Sequence, residues 1–233
     1  MRRLRWVLVL VAVLALVGGG LILADRYAEG RAEDLVAVEL QKHLGTAQPP
    51  SVDIEGSPFL TQIVARSIGT VHVVADDIGA TSDVLLPIAH ADLVLTDITT
   101  TDWFASMTVF HAEGTARMDY SALQGLAQVP LTYVGNGRVQ ITTTATVFGR
   151  EVRAQITGGL RLDVEDQTIA LADPDIKVAG VNLPGFTADA LLRALANPIP
   201  ITGVPLGLRL TSIDPQDSGI HAVVVGDNIP LTG

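Results

Sequence analysis

The chain of 233 residues has no cysteine. That rules out a disulfide framework, a thiolate metal site, a cysteine nucleophile and a dithiol redox pair. It also rules out lipid attachment to a cysteine near residue 24. A chain this long can bury enough apolar surface to fold without cross-links. Aromatic residues make up only 4% of the chain, and basic residues are outnumbered 15 to 25 by acidic ones. A protein so acidic lacks the Lys/Arg clusters that grip nucleic acid, and it gains nothing by charge from anionic lipid headgroups. Any lipid contact must therefore be mainly apolar. Other missing features narrow the chemistry further. There is no Gly-x-Ser-x-Gly elbow, no His-x-x-x-His and no Glu-x-x-His, so the common hydrolase and zinc-enzyme signatures are absent.

Hydrophobic residues make up 48% of the chain, and their richest run comes first. Arg2, Arg3 and Arg5 precede an apolar stretch from Trp6 to Ala24 that carries no charge until Asp25. A basic flank followed by about 19 apolar residues has the form of an export signal or a membrane anchor. Ala24 suits a signal cleavage site and Ile22 does not, so both a cleaved signal peptide and a retained anchor stay open for residues 1–24. Residues 25–233 are then expected to form an exported domain. With the leader set aside, 12 basic residues face 25 acidic ones.

Ala28, Ala32, Val36, Leu40 and Leu44 recur every fourth position with Leu35 beside them, which predicts an amphipathic helix over 25–44. Asp25 is expected to cap its start, and Gly45 followed by Pro49 and Pro50 to end it. A strand at 52–55 and a short helix at 59–65 follow, the latter packing Leu60, Ile63 and Val64. Strands are expected at 69–75, 89–97 and 108–118, the last with Phe110, Ala112, Gly114, Ala116 and Met118 on one side. A turn of helix near Trp103 and a short capped helix over 119–127 complete this half. Gly135, Asn136 and Gly137 read as a hairpin turn rather than a phosphate loop, because a strand follows instead of a helix.

From Arg138 to Val147 the chain alternates strictly, with Val139, Ile141, Ala145 and Val147 on one face. Val152, Ala154 and Ile156 continue the pattern, Gly158 and Gly159 permit a bulge, and Leu160, Leu162 and Val164 resume it. A strand from 168, a helix over 187–196 and strands at 206–213 and 220–225 close the chain. The expected fold is α+β: a long twisted antiparallel sheet, aliphatic on one face, around the N-terminal helix.

The five histidines are scattered without metal-ligand spacing. The acidic groups Asp76–Asp77, Asp163–Glu165–Asp166 and Asp173–Asp175 read as solvated strand ends and turns, not as a calcium loop or a catalytic pair. No metal or cofactor is expected.

Ala24-Asp25-Arg26, Arg31-Ala32-Glu33-Asp34-Leu35, Ile54-Glu55-Gly56-Ser57-Pro58-Phe59-Leu60-Thr61-Gln62 and Asp119-Tyr120-Ser121-Ala122-Leu123 resemble, in order, the LmeA-like envelope proteins of actinobacteria. Ser57 departs from the bulky residue common there. The resemblance implies a tubular lipid-binding (TULIP, BPI-like) fold with an apolar tunnel. It also implies phospholipid or phosphoinositide binding and a link to lipomannan maturation, and it carries over no catalytic residues. The expected function is a non-catalytic lipid-handling protein at the outer face of the cytoplasmic membrane, anchored or released. Its expected partners are phospholipid or another acyl-chain lipid, the membrane, and an envelope biosynthesis protein, with no nucleic acid. The alternative is a non-catalytic scaffold for an envelope glycosyltransferase or transporter. Tunnel candidates are Leu35, Val36 and Leu40 on the first helix, Phe59, Leu60 and Ile63 after Pro58, and Phe110, Val139, Ile141, Ile156, Leu160 and Leu162 on strands.

Overall fold

A computed structural model describes residues 2–79, 88–101, 106–127, 130–147, 150–178 and 198–232. The turn expected near Trp103 and the helix expected over 187–196 lie outside these residues. One helix, α1 (Arg2–Leu44), runs unbroken through the predicted amphipathic segment and upstream of it. Among the residues whose side chains are described, which begin at Gly18, no helix is long and apolar enough to cross a membrane. Gly45 ends α1 with φ 62°, the left-handed geometry that glycine adopts without steric cost. The terminal carbonyl of Leu44 accepts the Gly79 N–H at 2.9 Å, tying the helix end to the sheet.

Among the described residues eleven strands follow, all paired antiparallel. Six form one sheet in the order β1 (Ser51–Glu55), β2 (Ser67–Ile78), β3 (Ile88–Thr100), β4 (Ser106–Met118), β11 (Gly219–Thr232) and β10 (Arg209–Gln216). The other five run in sequence order: β5 (Leu131–Gly135), β6 (Arg138–Val147), β7 (Arg150–Asp163), β8 (Thr168–Val178) and β9 (Ile199–Pro200). The class is the expected α+β, mostly antiparallel sheet with an N-terminal helix. The single long sheet expected from the sequence is instead two, because the chain turns back after β9 and closes the first sheet with β10 and β11.

Asn136 and Gly137 both take positive φ between β5 and β6, as a two-residue hairpin turn requires. β7 shifts register between Thr157 and Gly159, where the glycine pair permits a bulge. In β4 the alternation breaks. Val109 and Ala112 are both buried while Phe110 is 47% exposed. Alternation reverses beside it in β3 and β11 as well, at Asp97 (φ 54°) and Asn228 (φ 53°). Phe110 therefore points away from Ala112, Ala116 and Met118, contrary to the simple period-2 reading. The acidic pair Asp173 and Asp175, expected in a turn, lies within β8.

Among the described residues there are two further α-helices. α2 (Phe59–Ala65) packs on α1, and α3 (Tyr120–Ala127) packs beside β5. Tyr120 stacks on Tyr133 with ring centroids 6.3 Å apart, and its hydroxyl donates to the Gln216 carbonyl at 2.7 Å. Burial, together with the neighbouring Tyr133, raises the Tyr120 pKa to about 12. Stability from this group is fully present below about pH 10, the value for an unfolded tyrosine. It is lost as pH rises towards about 12, because there the folded state keeps a proton that the unfolded state has released. The expected result is a urea midpoint that falls more steeply through this window in the wild type than in Tyr120→Phe.

Candidate functional site

The inner face of the six-stranded sheet is built from cross-strand rows. Ala75, Ala91, Ala116 and Ala222 stand opposite one another on β2, β3, β4 and β11, and all four are buried. The next row is Val73, Leu93, Gly114 and Val224. The alanine methyl groups replace larger side chains along the middle of this face, so the covering layer does not meet it everywhere. A void of about 50 Å³ with a wholly apolar lining remains, bordered by Ala75, Ala91 and Ala116 of the row. Leu40 and Leu44 of α1 cover one side, and Val204, Pro205 and Leu206 cover another.

The covering segment is an irregular one. Pro205–Gly207 forms a single 3-10 turn, and Leu206 sits at φ 58°, ψ 13°. A leucine in that left-handed region costs roughly 1–2 kcal/mol, and here its side chain lines the void. Among the described residues, 204–207 make no backbone hydrogen bond to a strand; Leu208 N–H bonds Pro205 O within the turn itself. Ile78 and Ile88 line the void and also an open cleft of about 320 Å³, which is bordered by Asp77, Asp119 and Ser121. Ile78 and Ile88 thus stand between the apolar void and this open cleft.

Of the residues singled out from sequence, Leu40 lines the void. Phe59 is buried in the main core cluster, with Leu40, Ile63 and Leu162 packed against it, while Leu160 packs against the adjoining cluster. Val36 is half-buried on α1. Val139 and Ile156 are fully buried in the second sheet and Ile141, paired with Ile156, is half-buried. Leu35, at 68%, and Leu60, like Phe110, are exposed and do not line the void. In α2 the packed pair is Phe59 and Ile63, while Leu60 and Val64 face outward. The alanine row escaped sequence reading. Each alanine lies in or beside an expected strand, but nothing local shows that they stand in register.

The motif residues at 25–62 have a structural role. Asp25 does not start a helix, because α1 is already continuous there. It is buried, and its carboxylate accepts the Phe59 and Leu60 N–H groups at 2.9 and 2.7 Å, capping α2 across 34 residues of chain. Glu33 accepts the Ile54 N–H at 3.0 Å. Gln62 donates to the Glu55 and Gly56 carbonyls and accepts from Gly69 N–H, stitching the β1–β2 connection. Asp25→Ala strands two N–H groups at the start of α2. The expected loss is about 2–4 kcal/mol in urea unfolding, from a cap and a charge-assisted pair of bonds.

Four histidines pair with carboxylates: His43 with Glu39, His72 with Glu55, His90 with Asp76, and His111 with Asp227. The hydrogen bond to Asp227 raises the His111 pKa above its ordinary value. Among the described residues no group of three His, Asp or Glu side chains is placed to hold a metal ion. Asp163 accepts the Glu165 and Asp166 N–H groups and so organises the β7–β8 turn.

A family model described as LmeA-like phospholipid-binding matches residues 23–224. The chain belongs to this family. The match begins two residues before the capping Asp25 and ends within β11. No curated protein and no solved structure matches significantly.

Proposed function

We propose that the protein is a non-catalytic lipid-handling protein that takes an acyl chain of a phospholipid between α1 and the inner face of the six-stranded sheet. The observation that carries this reading is the all-apolar void over the alanine row, in a chain of a phospholipid-binding family. At about 50 Å³ the void falls well short of the roughly 300–1,000 Å³ of ordinary ligand sites. The void is thus far smaller than the apolar tunnel that the family resemblance implies. The reading requires the space to widen when lipid enters. The 204–207 turn, without hydrogen bonds to the strands, is the part of the wall that yields at least cost. Each CH₂ buried contributes about 0.8 kcal/mol, so a chain of ordinary length offsets the loss of that segment's contacts.

In this reading the apolar run Trp6–Ala24 carries the domain to the outer face of the cytoplasmic membrane, either as a retained anchor or as a signal that is removed. The covered void is the counterpart of a tubular lipid-binding tunnel. Support of lipoglycan maturation, beside an envelope biosynthesis protein, is the role proposed there. The test is uptake. Purified protein, delipidated and then incubated with phosphatidylcholine and phosphatidylglycerol vesicles, is expected to show one bound phospholipid per chain by native mass spectrometry. A chain that stays lipid-free through repeated trials sinks the reading.

A further inference from the structure

The stripe of α1 that packs on the domain does not stop being apolar where the domain ends. Asp25, Ala28, Glu29, Ala32 and Ala37 are buried or half-buried. Leu21 and Ile22 precede Asp25 by four and three positions, on the same side one turn earlier, and both are exposed, as is Leu23. Beside them lies α2. Its N-terminus is fixed to Asp25, and it turns Leu60 and Val64 outward, one helical turn apart on one side. Val64 is 81% exposed and Tyr27 of α1 is 73% exposed. They are exposed apolar side chains near the Asp25 junction in a protein of net charge −10. No charged residue occurs from Gly56 to Ala65 or from Trp6 to Ala24. The one carboxylate at the junction, Asp25, is turned inward onto backbone N–H groups, and Glu29 is buried against Arg26.

We propose that this junction is a membrane-docking tip, with Leu60 and Val64 of α2 and Tyr27 of α1 seated in the boundary between headgroups and acyl chains. The inference rests on the reading that Trp6–Ala24 lies in the bilayer, and the continuity of α1 then sets the depth. Tyr27 follows Ala24 by three residues, about 4.5 Å along a helix, so it falls where interfacial aromatics collect. α2, held to Asp25, is brought to the same level. The tip is also where an acidic domain meets lipid with least repulsion, since the nearby Arg26 is paired with Glu29. Docking here keeps the lipid-handling domain against its source of lipid in place of a freely tumbling body on a tether.

The lack of native cysteine makes the test direct. Full-length Val64→Cys, Leu14→Cys and Glu165→Cys variants, each carrying an environment-sensitive fluorophore, are reconstituted in phosphatidylcholine–phosphatidylglycerol vesicles with and without brominated acyl chains. The expected result is blue-shifted emission at positions 14 and 64, most of it lost with brominated lipid, while position 165 stays water-like. Quenching at 14 with none at 64 overturns the docking tip and leaves the membrane reading standing. Absence of quenching at both overturns both. Quenching at 64 alone overturns insertion of the leader and with it the docking geometry proposed here, in which α1 sets the depth. A blue shift at 64 that brominated lipid does not quench, with disulfide cross-linking of unlabelled Val64→Cys between copies, assigns the surface to self-association and overturns the proposal.

Discussion

Replacing Ala91 with leucine is expected to cut phospholipid uptake by at least tenfold while leaving the protein folded. Ala91 lies in the middle of the alanine row, paired with Ala75 on one side and Ala116 on the other, and its methyl group faces the void. Leucine adds three carbons to a space of about 50 Å³. Filling it contributes up to about 2 kcal/mol of burial, at roughly 0.8 kcal/mol per carbon. Imperfect fit costs about 1–3 kcal/mol, so the two nearly cancel and the urea midpoint moves little. Uptake does not share this balance. Displacing only two methylenes of a bound chain forfeits about 1.6 kcal/mol, more than the 1.4 kcal/mol of a tenfold change. Native mass spectrometry against lipid concentration, paired with urea unfolding, reads both quantities. Wild-type uptake by Ala91→Leu would place the lipid elsewhere. Normal function in cells despite lost uptake would favour the scaffold reading, in which surface contacts matter and the void does not.

Gly114→Ala is expected to be the most damaging small substitution in the sheet, with a loss of more than about 3 kcal/mol. A Cβ at Gly114 would lie 2.2 Å from the Asp92 carbonyl oxygen and 2.9 Å from the Leu93 Cα. Both are backbone atoms of β3, so no side-chain rotation relieves the contact. The strands must separate, and the ladder that pairs β3 with β4 along its length must deform. Circular dichroism and urea titration of the purified variant check this. A destabilisation below about 1 kcal/mol would mean that β3 and β4 are less closely joined than described. The contrast with Ala91→Leu is instructive. Two neighbouring inward positions of one sheet, one facing a void and the other facing backbone, respond oppositely to added carbon.

Local pattern carried the reading of individual elements a long way. The alternation from Arg138 to Val147 matches β6 end to end, and the Pro58 turn and Ala65 bound α2 as expected. Gly45, Asn136 and Gly137 hold the positive φ values that their neighbours in sequence implied. Each of these depends on residues within a few positions of one another. The misreadings have a common origin in longer-range structure. Phe110 turns outward because alternation reverses in β3, β4 and β11 together, near Asp97 and Asn228. Leu35 sits beside the apolar stripe on a helical projection, yet among the described residues no element covers it and it is exposed. Asp25 reads as a helix cap from its own neighbours, and it is one, but for a helix 34 residues further on.

What residues 1–233 specify on their own is a set of strands and helices, an apolar N-terminal run, an acidic composition without cysteine chemistry, and family membership, because composition and short periodicity are properties of the chain wherever it folds. Register is not such a property. Whether four alanines from β2, β3, β4 and β11 stand in one row depends on pairings between residues as far apart as 75 and 222. A slip of one residue would turn each of them to the opposite face. The void, its irregular cover and the outward face of α2 exist only once those distant pairings are made.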